Sequence, residues 1–291
     1  MKNIVIAGFG QPILNLIKTL KNKFVIRGIV LDYDRPKKFP GFYKQLDNLS
    51  IPIYSLKNIN EKDIDAIVVM NYNKMIDIDL IDCPFILNIH MGLLPLYRGN
   101  NANAWSILND DRNVGYTLHQ VSEELDGGLI YYKFEYYIKE NETYFHAKTA
   151  INNDIDKNLP SVIEKVLNKK ITGICQEDDE FIYACKLLPE DGILENWNHT
   201  TNDILNRKII FSKPLGSGLK FKFKNQLLEI NKISRVKKYK ISKGIPGAVV
   251  LKTNVGSVWV KTKDSVISID EIVFENKIER PANLLKIGDR L

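Results

Sequence analysis

Cysteine is scarce: Cys83, Cys175 and Cys185 are the only three in 291 residues, an odd number at no metal-ligand spacing. They supply neither a disulfide framework nor a zinc site, and a reduced, cytoplasmic protein without a metal is the simple expectation. Long apolar runs are missing too. No stretch approaches the ~20 residues that span a bilayer, so no membrane partner is expected. The opening Met1–Gly10 is too short and glycine-rich for a secretory signal and reads as a first strand. Internal repeats and low-complexity tracts are absent, which removes repeat architectures from consideration.

What is present is an ordinary globular composition, 44% hydrophobic, in a chain long enough for two domains at ~150 residues each. The expected division is a catalytic domain over 1–188, a linker over 189–205 and a smaller domain over 206–291. The net charge of +6 is unevenly spread. Residues 201–291 hold 19 Lys+Arg against 8 Asp+Glu, whereas the first 200 hold 22 against 27. A basic C-terminal part favours an anionic partner, a phosphate, nucleotide or nucleic acid, although a solvated lysine-rich surface explains it equally well.

Ile4–Ala7, Phe24–Leu31, Ala66–Met70 and Phe85–Ile89 are short apolar runs of the kind found in strands covered on both faces. Between the first two, Ile13, Leu16, Ile17 and Leu20 recur at helical spacing behind Pro12. Strand, helix, strand predicts a Rossmann-like, mostly parallel α/β sheet with its ligand site at the carboxyl ends of the strands. Gly115–Val121 and Leu129–Tyr137 read as further strands, and 142–168 as a helix that Pro160 must bend or break. Beyond Pro189, short β-rich runs (219–223, 227–230, 248–251, 257–261, 266–272) predict a small barrel or sandwich.

Asn88 and His90 stand two apart at the end of an apolar strand, so their side chains share a face. Polar groups there need partners. Alone, the pair is as readily a strand cap and a satisfied loop histidine. It is followed by Leu94-Pro95 and Tyr97-Arg98-Gly99, then Gly115-Tyr116-Thr117-Leu118-His119, and finally Asp126-Gly127-Gly128. In this order and at these intervals the residues resemble the folate-dependent formyltransferases, a family that includes glycinamide ribonucleotide, methionyl-tRNA and nucleotide-sugar formyltransferases. The resemblance runs from the first strand to about Trp197, and more loosely to the end.

It implies a Rossmann-like domain, N10-formyltetrahydrofolate as donor and an amine as acceptor. Asn88 and His90 would donate to the oxygen that turns anionic as the amine attacks, one such donor being worth about 2.7–4 kcal/mol. Asp126 would hold His90 protonated or relay the amine proton, with Gly127 and Gly128 providing a tight turn. Lys74, Met75, Ile76, His119 and Asp126 are the expected folate contacts, although Met75 and Ile76 also read as the start of a core-facing helix. Gly8, Tyr97, Arg98 and Asn103 are the expected substrate contacts. Gly8-Phe9-Gly10 lacks the third glycine of a dinucleotide fingerprint and reads as a tight turn. His146 and His199 read as ordinary histidines, and Trp259 as barrel core.

The acceptor is the least legible part. The region after Asp191 resembles the oligonucleotide-binding-like barrel appended in methionyl-tRNA and amino-sugar formyltransferases. The loop over 31–43 is shorter and less basic than in the tRNA enzymes, Phe211–Gly216 replaces their usual Pro-Trp-Pro-Gly, and Met91-Gly92 stands where they carry a Ser. These departures favour a nucleotide-linked amino sugar, dTDP-linked by preference, and with it surface-glycan or O-antigen synthesis. The alternatives are a methionyl-tRNA formyltransferase, a formyltetrahydrofolate hydrolase (which usually bears an N-terminal regulatory domain, one not expected here) and a non-catalytic nucleic-acid-binding protein. A homodimer is implied by the resemblance alone.

Overall fold

A computed structural model describes residues 1–32, 40–59, 63–140, 142–177, 181–237 and 243–291. Most of the loop compared above, residues 33–39, lies outside the described residues. The chain divides into one unit of residues 1–103, 113–137 and 148–185, and a second of 104–112, 138–147 and 186–291.

The strands of the first unit are β1 (Asn3–Gly8), β2 (Val25–Leu31), β3 (Ile53–Tyr54), β4 (Ala66–Met70), β5 (Ile86–His90), β6 (Tyr97–Gly99), β7 (Asn113–Gln120), β8 (Ile130–Tyr137) and β9 (Ile182–Ala184). Seven of them form one sheet in the order β3-β2-β1-β4-β5-β7-β8. The first five run parallel, as expected for a Rossmann-like sheet; β7 and β8 are antiparallel additions. β6 and β9 pair with each other in a separate parallel ribbon. The helices are α1 (Gln11–Leu20), α2 (Pro40–Asp47), α3 (Ala102–Leu108), α4 (Tyr144–Lys157) and α5 (Leu159–Leu167). The helix expected over 142–168 is thus two helices, broken at Asn158, with Pro160 in the first turn of α5 where no N–H is needed.

Side chains alternate across the sheet and divide its core in two. Ile4, Ile6, Val68, Leu87, Ile89 and Leu118 pack with α1, α5 and the 148–157 part of α4. Val5, Ala7, Val30, Val69 and Ile86 pack on the other side with Ile59, Ile64, Ile76 and Ile81, which come from loops and short helical turns. The alternation that sends Leu87 and Ile89 to the helix-covered side sends Asn88 and His90 to the loop-covered side. Gly8 ends β1 against β4, where a Cβ would lie 1.9 Å from the Met70 carbonyl oxygen. Its role is this close backbone approach.

The second unit contains β10 (Ile193–Leu194), α6 (Thr201–Phe211), β11 (Leu219–Phe223), β12 (Gln226–Arg235), β13 (Val249–Lys252), β14 (Val258–Lys261), β15 (Val266–Phe274) and β16 (Lys277–Glu279). Its sheet runs β10-β11-β12-β15-β14-β13, with β16 on β15, and every pairing except β10–β11 is antiparallel. Leu194, Trp197 and Ile204, from the stretch expected as a linker, lie in its core with Phe221, Ile230 and Val260. Trp259, expected in that core, is only half-buried, because Val258 and Val260 take the inward positions on either side of it. α6 was not anticipated, although the Thr200 hydroxyl accepts from the Asp203 N–H as an N-cap. Among the described residues, no helix is long and apolar enough to cross a membrane.

Candidate active site

β5 and β7 place the central residues. Their antiparallel register sets Asn88 opposite His119 and His90 opposite Thr117, so all four side chains rise from the loop-covered face. Asp126 arrives from the loop after β7, with its backbone at φ 53°. The left-handed residue of this turn is therefore Asp126 itself, not the glycines expected to supply it. Gly128 serves a different need: a Cβ there would lie 1.9 Å from the Gln120 carbonyl oxygen.

The Asp126 carboxylate is the hub. Its Oδ1 lies 3.2 Å from Asn88 Nδ2 and 3.3 Å from His119 Nε2. Its Oδ2 lies 3.3 Å from His90 Nδ1 and accepts a 2.8 Å bond from the Gly99 N–H. The Asn88 amide also donates to His119 Nε2 at 3.0 Å. Partner chemistry fixes the tautomers. His119 Nδ1 lies 2.7 Å from the Gln120 carbonyl, which only accepts, so Nδ1 carries the proton and Nε2 is left to accept from Asn88. His90 Nε2 lies 2.8 Å from the Tyr97 carbonyl and carries a proton for the same reason. His90 Nδ1, facing Asp126, is then the atom at which a further proton is received.

Burial lowers the pKa of His90, and the opposing pull of Asp126 does not reverse it. This corrects the expectation that Asp126 keeps His90 protonated: the imidazole is too deeply buried. Burial also works against the charge of Asp126, but there its contacts with His119 and His90 and the Gly99 N–H prevail. Its pKa is lowered to about 2. The resting pair is an ionised carboxylate beside a neutral imidazole.

A cleft of about 440 Å³ opens beside this cluster. It is lined by Val69, Tyr72, Lys74, Met75, Ile76, Asn88, His119, Val121, Ser122, Glu124, Leu125 and Asp126. All five residues expected to contact folate therefore line one cleft. Lys74–Ile76 lie in a loop rather than at the start of a helix; Ile76 is buried and Met75 is exposed. Val69, Tyr72 and Ser122 belong to the lining without having been singled out.

The residues expected to contact substrate are placed elsewhere. The Asn103 amide is committed to both backbone groups of Gly115, each at 2.8 Å. Arg98 is fully buried, donating to Gln176 Oε1 at 3.1 Å and paired with Glu124 at 2.6 Å. Tyr97 is buried and contributes its carbonyl to His90. With Gly8 packed on Met70, none of these four lines the cleft. A buried polar group must be satisfied, and here backbone holds the Asn103 amide while the Gln176 and Glu124 side chains hold Arg98. His146 is exposed and His199 pairs with Asp203 at 2.5 Å, both away from the cleft lining. Sequence reasoning missed Gln176 altogether, because nothing local marks it. Among the described residues, no group of His, Cys, Asp or Glu has the arrangement of a metal site.

Comparison with known proteins agrees with this geometry. Residues 52–163, which carry Asn88, His90, His119 and Asp126, match the formyl transferase family. The bifunctional polymyxin resistance protein ArnA of Wigglesworthia glossinidia brevipalpis is 27% identical over 78% of this chain, which spans only 37% of that protein. A methionyl-tRNA formyltransferase of Clostridium tetani is 25% identical over 95% of this chain and 93% of its own length. The crystal structure of WlaRD, a sugar 3N-formyl transferase solved in the presence of dTDP and 5-N-formyl-THF, shares the fold. It superposes with a TM-score of 0.71 at 19% identity, covering 92% of this chain and 97% of that one. Over residues 52–163 this chain is similar to the formyl transferase family.

Proposed function

We propose that this protein transfers a formyl group from N10-formyltetrahydrofolate to the primary amine of a nucleotide-linked amino sugar, dTDP-linked by preference. One observation carries the reading: Asn88, His119 and Asp126 interlock in a cleft that they line together with the apolar Val69, Met75, Ile76, Val121 and Leu125. A flat heteroaromatic ring suits such a lining, with a few polar groups to orient it. Met75, exposed at the rim, and Ile76, seated in the core, would flank that ring.

The donor supplies an activated formyl carbon. Asn88 then offers an N–H to the carbonyl oxygen; its present bond to Asp126, at 3.2 Å, is the longer of its two and the one given up. Neutral His90 receives a proton at Nδ1 as the amine loses one and gives it to N10 as the bond from N10 to the formyl carbon breaks, the adjacent Asp126 carboxylate stabilising the imidazolium in between. A histidine held neutral by burial beside a carboxylate of pKa about 2 suits that task at neutral pH.

The sugar acceptor is supported by Gly92 in place of the Ser usual in tRNA enzymes, and by the fold shared with WlaRD. Such an enzyme would be cytoplasmic, would serve surface-glycan or O-antigen synthesis and would act as a homodimer. A methionyl-tRNA acceptor is the second reading, favoured by the near full-length match to the Clostridium tetani enzyme and by the basic residues 201–291. The deciding experiment offers N10-formyltetrahydrofolate with dTDP-linked 3-amino and 4-amino sugars and with charged initiator tRNA. Formylation of a sugar amine is expected. Formylation of the tRNA alone overturns the acceptor. No consumption of the donor, together with RNA binding that falls steeply with salt, overturns the enzymatic reading in favour of a nucleic-acid-binding protein.

A further inference from the structure

We infer that Gln176, seated by the buried Arg98, is the positioning residue that fixes the Asp126 carboxylate against both imidazoles. Its catalytic consequence rests on the formyl-transfer reading, but the geometry does not.

Gln176 Nε2 lies 2.7 Å from the Asp126 carbonyl oxygen and 2.8 Å from that of Gly128. Its Oε1 accepts from Arg98 at 3.1 Å. Carbonyls only accept and guanidinium only donates, so one orientation of the amide satisfies all three contacts. The clamp closes across the residue whose φ is 53°, a conformation that a non-glycine residue holds only when its surroundings impose it.

Arg98 secures the same turn a second time, through Glu124 Oε1 at 2.6 Å, and its neighbour Gly99 donates directly to the carboxylate at 2.8 Å. Gln176 is itself located by backbone bonds between Ile174 and Ile130, at 2.8 and 2.9 Å. The Phe181 ring lies 4.1 Å from the guanidinium and completes the seat. Arg98 therefore acts from inside: fully buried, it holds the residue that holds Asp126.

Two substitutions separate this role from simple packing or charge balance. Gln176→Met keeps the bulk and loses every hydrogen bond. Gln176→Glu keeps an acceptor for Arg98 but offers the two carbonyls no donor. With thermal melts confirming the fold, both are expected to lower kcat on the order of 10- to 100-fold. The KM for N10-formyltetrahydrofolate should change by less than about twofold. Nitrogen-detected NMR titration should show the His90 imidazole titrating at lower pH as the carboxylate drifts away. Wild-type kcat in Gln176→Glu overturns the clamp, because charge balance would then suffice. Unchanged imidazole titration in Gln176→Met overturns it even if activity falls. Should Gln176→Met not fold, Gln176→Asn, one methylene too short to reach both carbonyls, carries the same expectations. If the wild-type enzyme formylates no amine, the proposed function fails while the titration still decides the clamp.

Discussion

Two buried carboxylates stand on opposite sides of β7, and one of them, Asp126, lines the cleft. Asp126 collects His90, His119, Asn88 and a backbone N–H on the face of Thr117 and His119. Asp154, on α4, accepts from Tyr116 at 2.8 Å and Tyr132 at 3.1 Å, and also from the Asn158 amide, on the face of Tyr116 and Leu118. Both are acids with two ring partners and an amide. They differ in cover and in partner chemistry. Helices close over Asp154, and its phenols stay protonated, burial raising the pKa of Tyr116 far above its ordinary value. Loops cover Asp126, and its partners are imidazoles, whose ring nitrogens can each carry a proton. A buried acid is a site when its partners can change charge and a ligand can reach it.

The sharpest break of this comparison is a pair of substitutions. Asp126→Asn leaves the shape of the hub but removes its charge, and is expected to lower kcat on the order of 10²–10⁴-fold with the fold intact. Asp154→Ala strands the buried Tyr116 hydroxyl and should destabilise the protein by about 1–3 kcal/mol, leaving turnover per folded molecule unchanged. Steady-state formylation with denaturant unfolding reads both. If the effects were exchanged, the assignment of function to the loop-covered face would be wrong.

Acid should distinguish the two next. The Asp126 pKa lies at about 2, below its ordinary value of 3.8, so protonation favours the unfolded chain. Its contribution is fully present above the unfolded value and is lost as pH falls through the folded one. That loss is about 2 kcal/mol between pH ~5 and pH ~2. His90 acts in the same direction: its pKa is lowered from 6.5, so acid must charge a buried ring and stability declines from that value downward. Unfolding free energies measured from pH 7 to 3 should therefore fall less steeply in Asp126→Asn than in the wild type. Parallel curves would show that the carboxylate is not held as the geometry requires.

The sequence made one half of this site legible and hid the other half. The apolar runs mark β1, β4 and β5 as strands, and the two-residue repeat of a strand is enough to put Asn88 and His90 on one face. Placing His119 opposite Asn88 needs the β5–β7 register, set by pairing over 31 residues that no local signal encodes. Asp126 was found through its resemblance to a family motif. Gln176 lies 50 residues beyond Asp126 in an irregular segment, where its three hydrogen bonds leave no pattern. Arg98 misled because an arginine beside a candidate site suggests a substrate anion, whereas Glu124 and Gln176 give it a reason to be buried. The Thr200 cap of α6 was readable and went unread, because the β-rich texture beyond it dominated the segment.

The smallest expected effect compares two neighbours on one strand. The Thr117 hydroxyl donates to the Gly92 carbonyl at 2.7 Å and accepts from the Leu94 N–H at 3.2 Å, holding the turn that leaves His90. Gly92 packs against that ring so closely that a Cβ there would lie 2.6 Å from His90 Nε2. Tyr116, one residue earlier, directs its hydroxyl to Asp154 on the opposite face. Thr117→Val and Tyr116→Phe each delete one buried hydroxyl while nearly keeping the shape, and each should cost about 1 kcal/mol of stability. Only Thr117→Val loosens the turn behind His90, so only it should lower kcat, by about threefold to tenfold. Equal stability loss with unequal kcat would show that the two faces of β7 share a packing role and divide the chemistry; equal kcat would mean that the Gly92 turn does not control the imidazole.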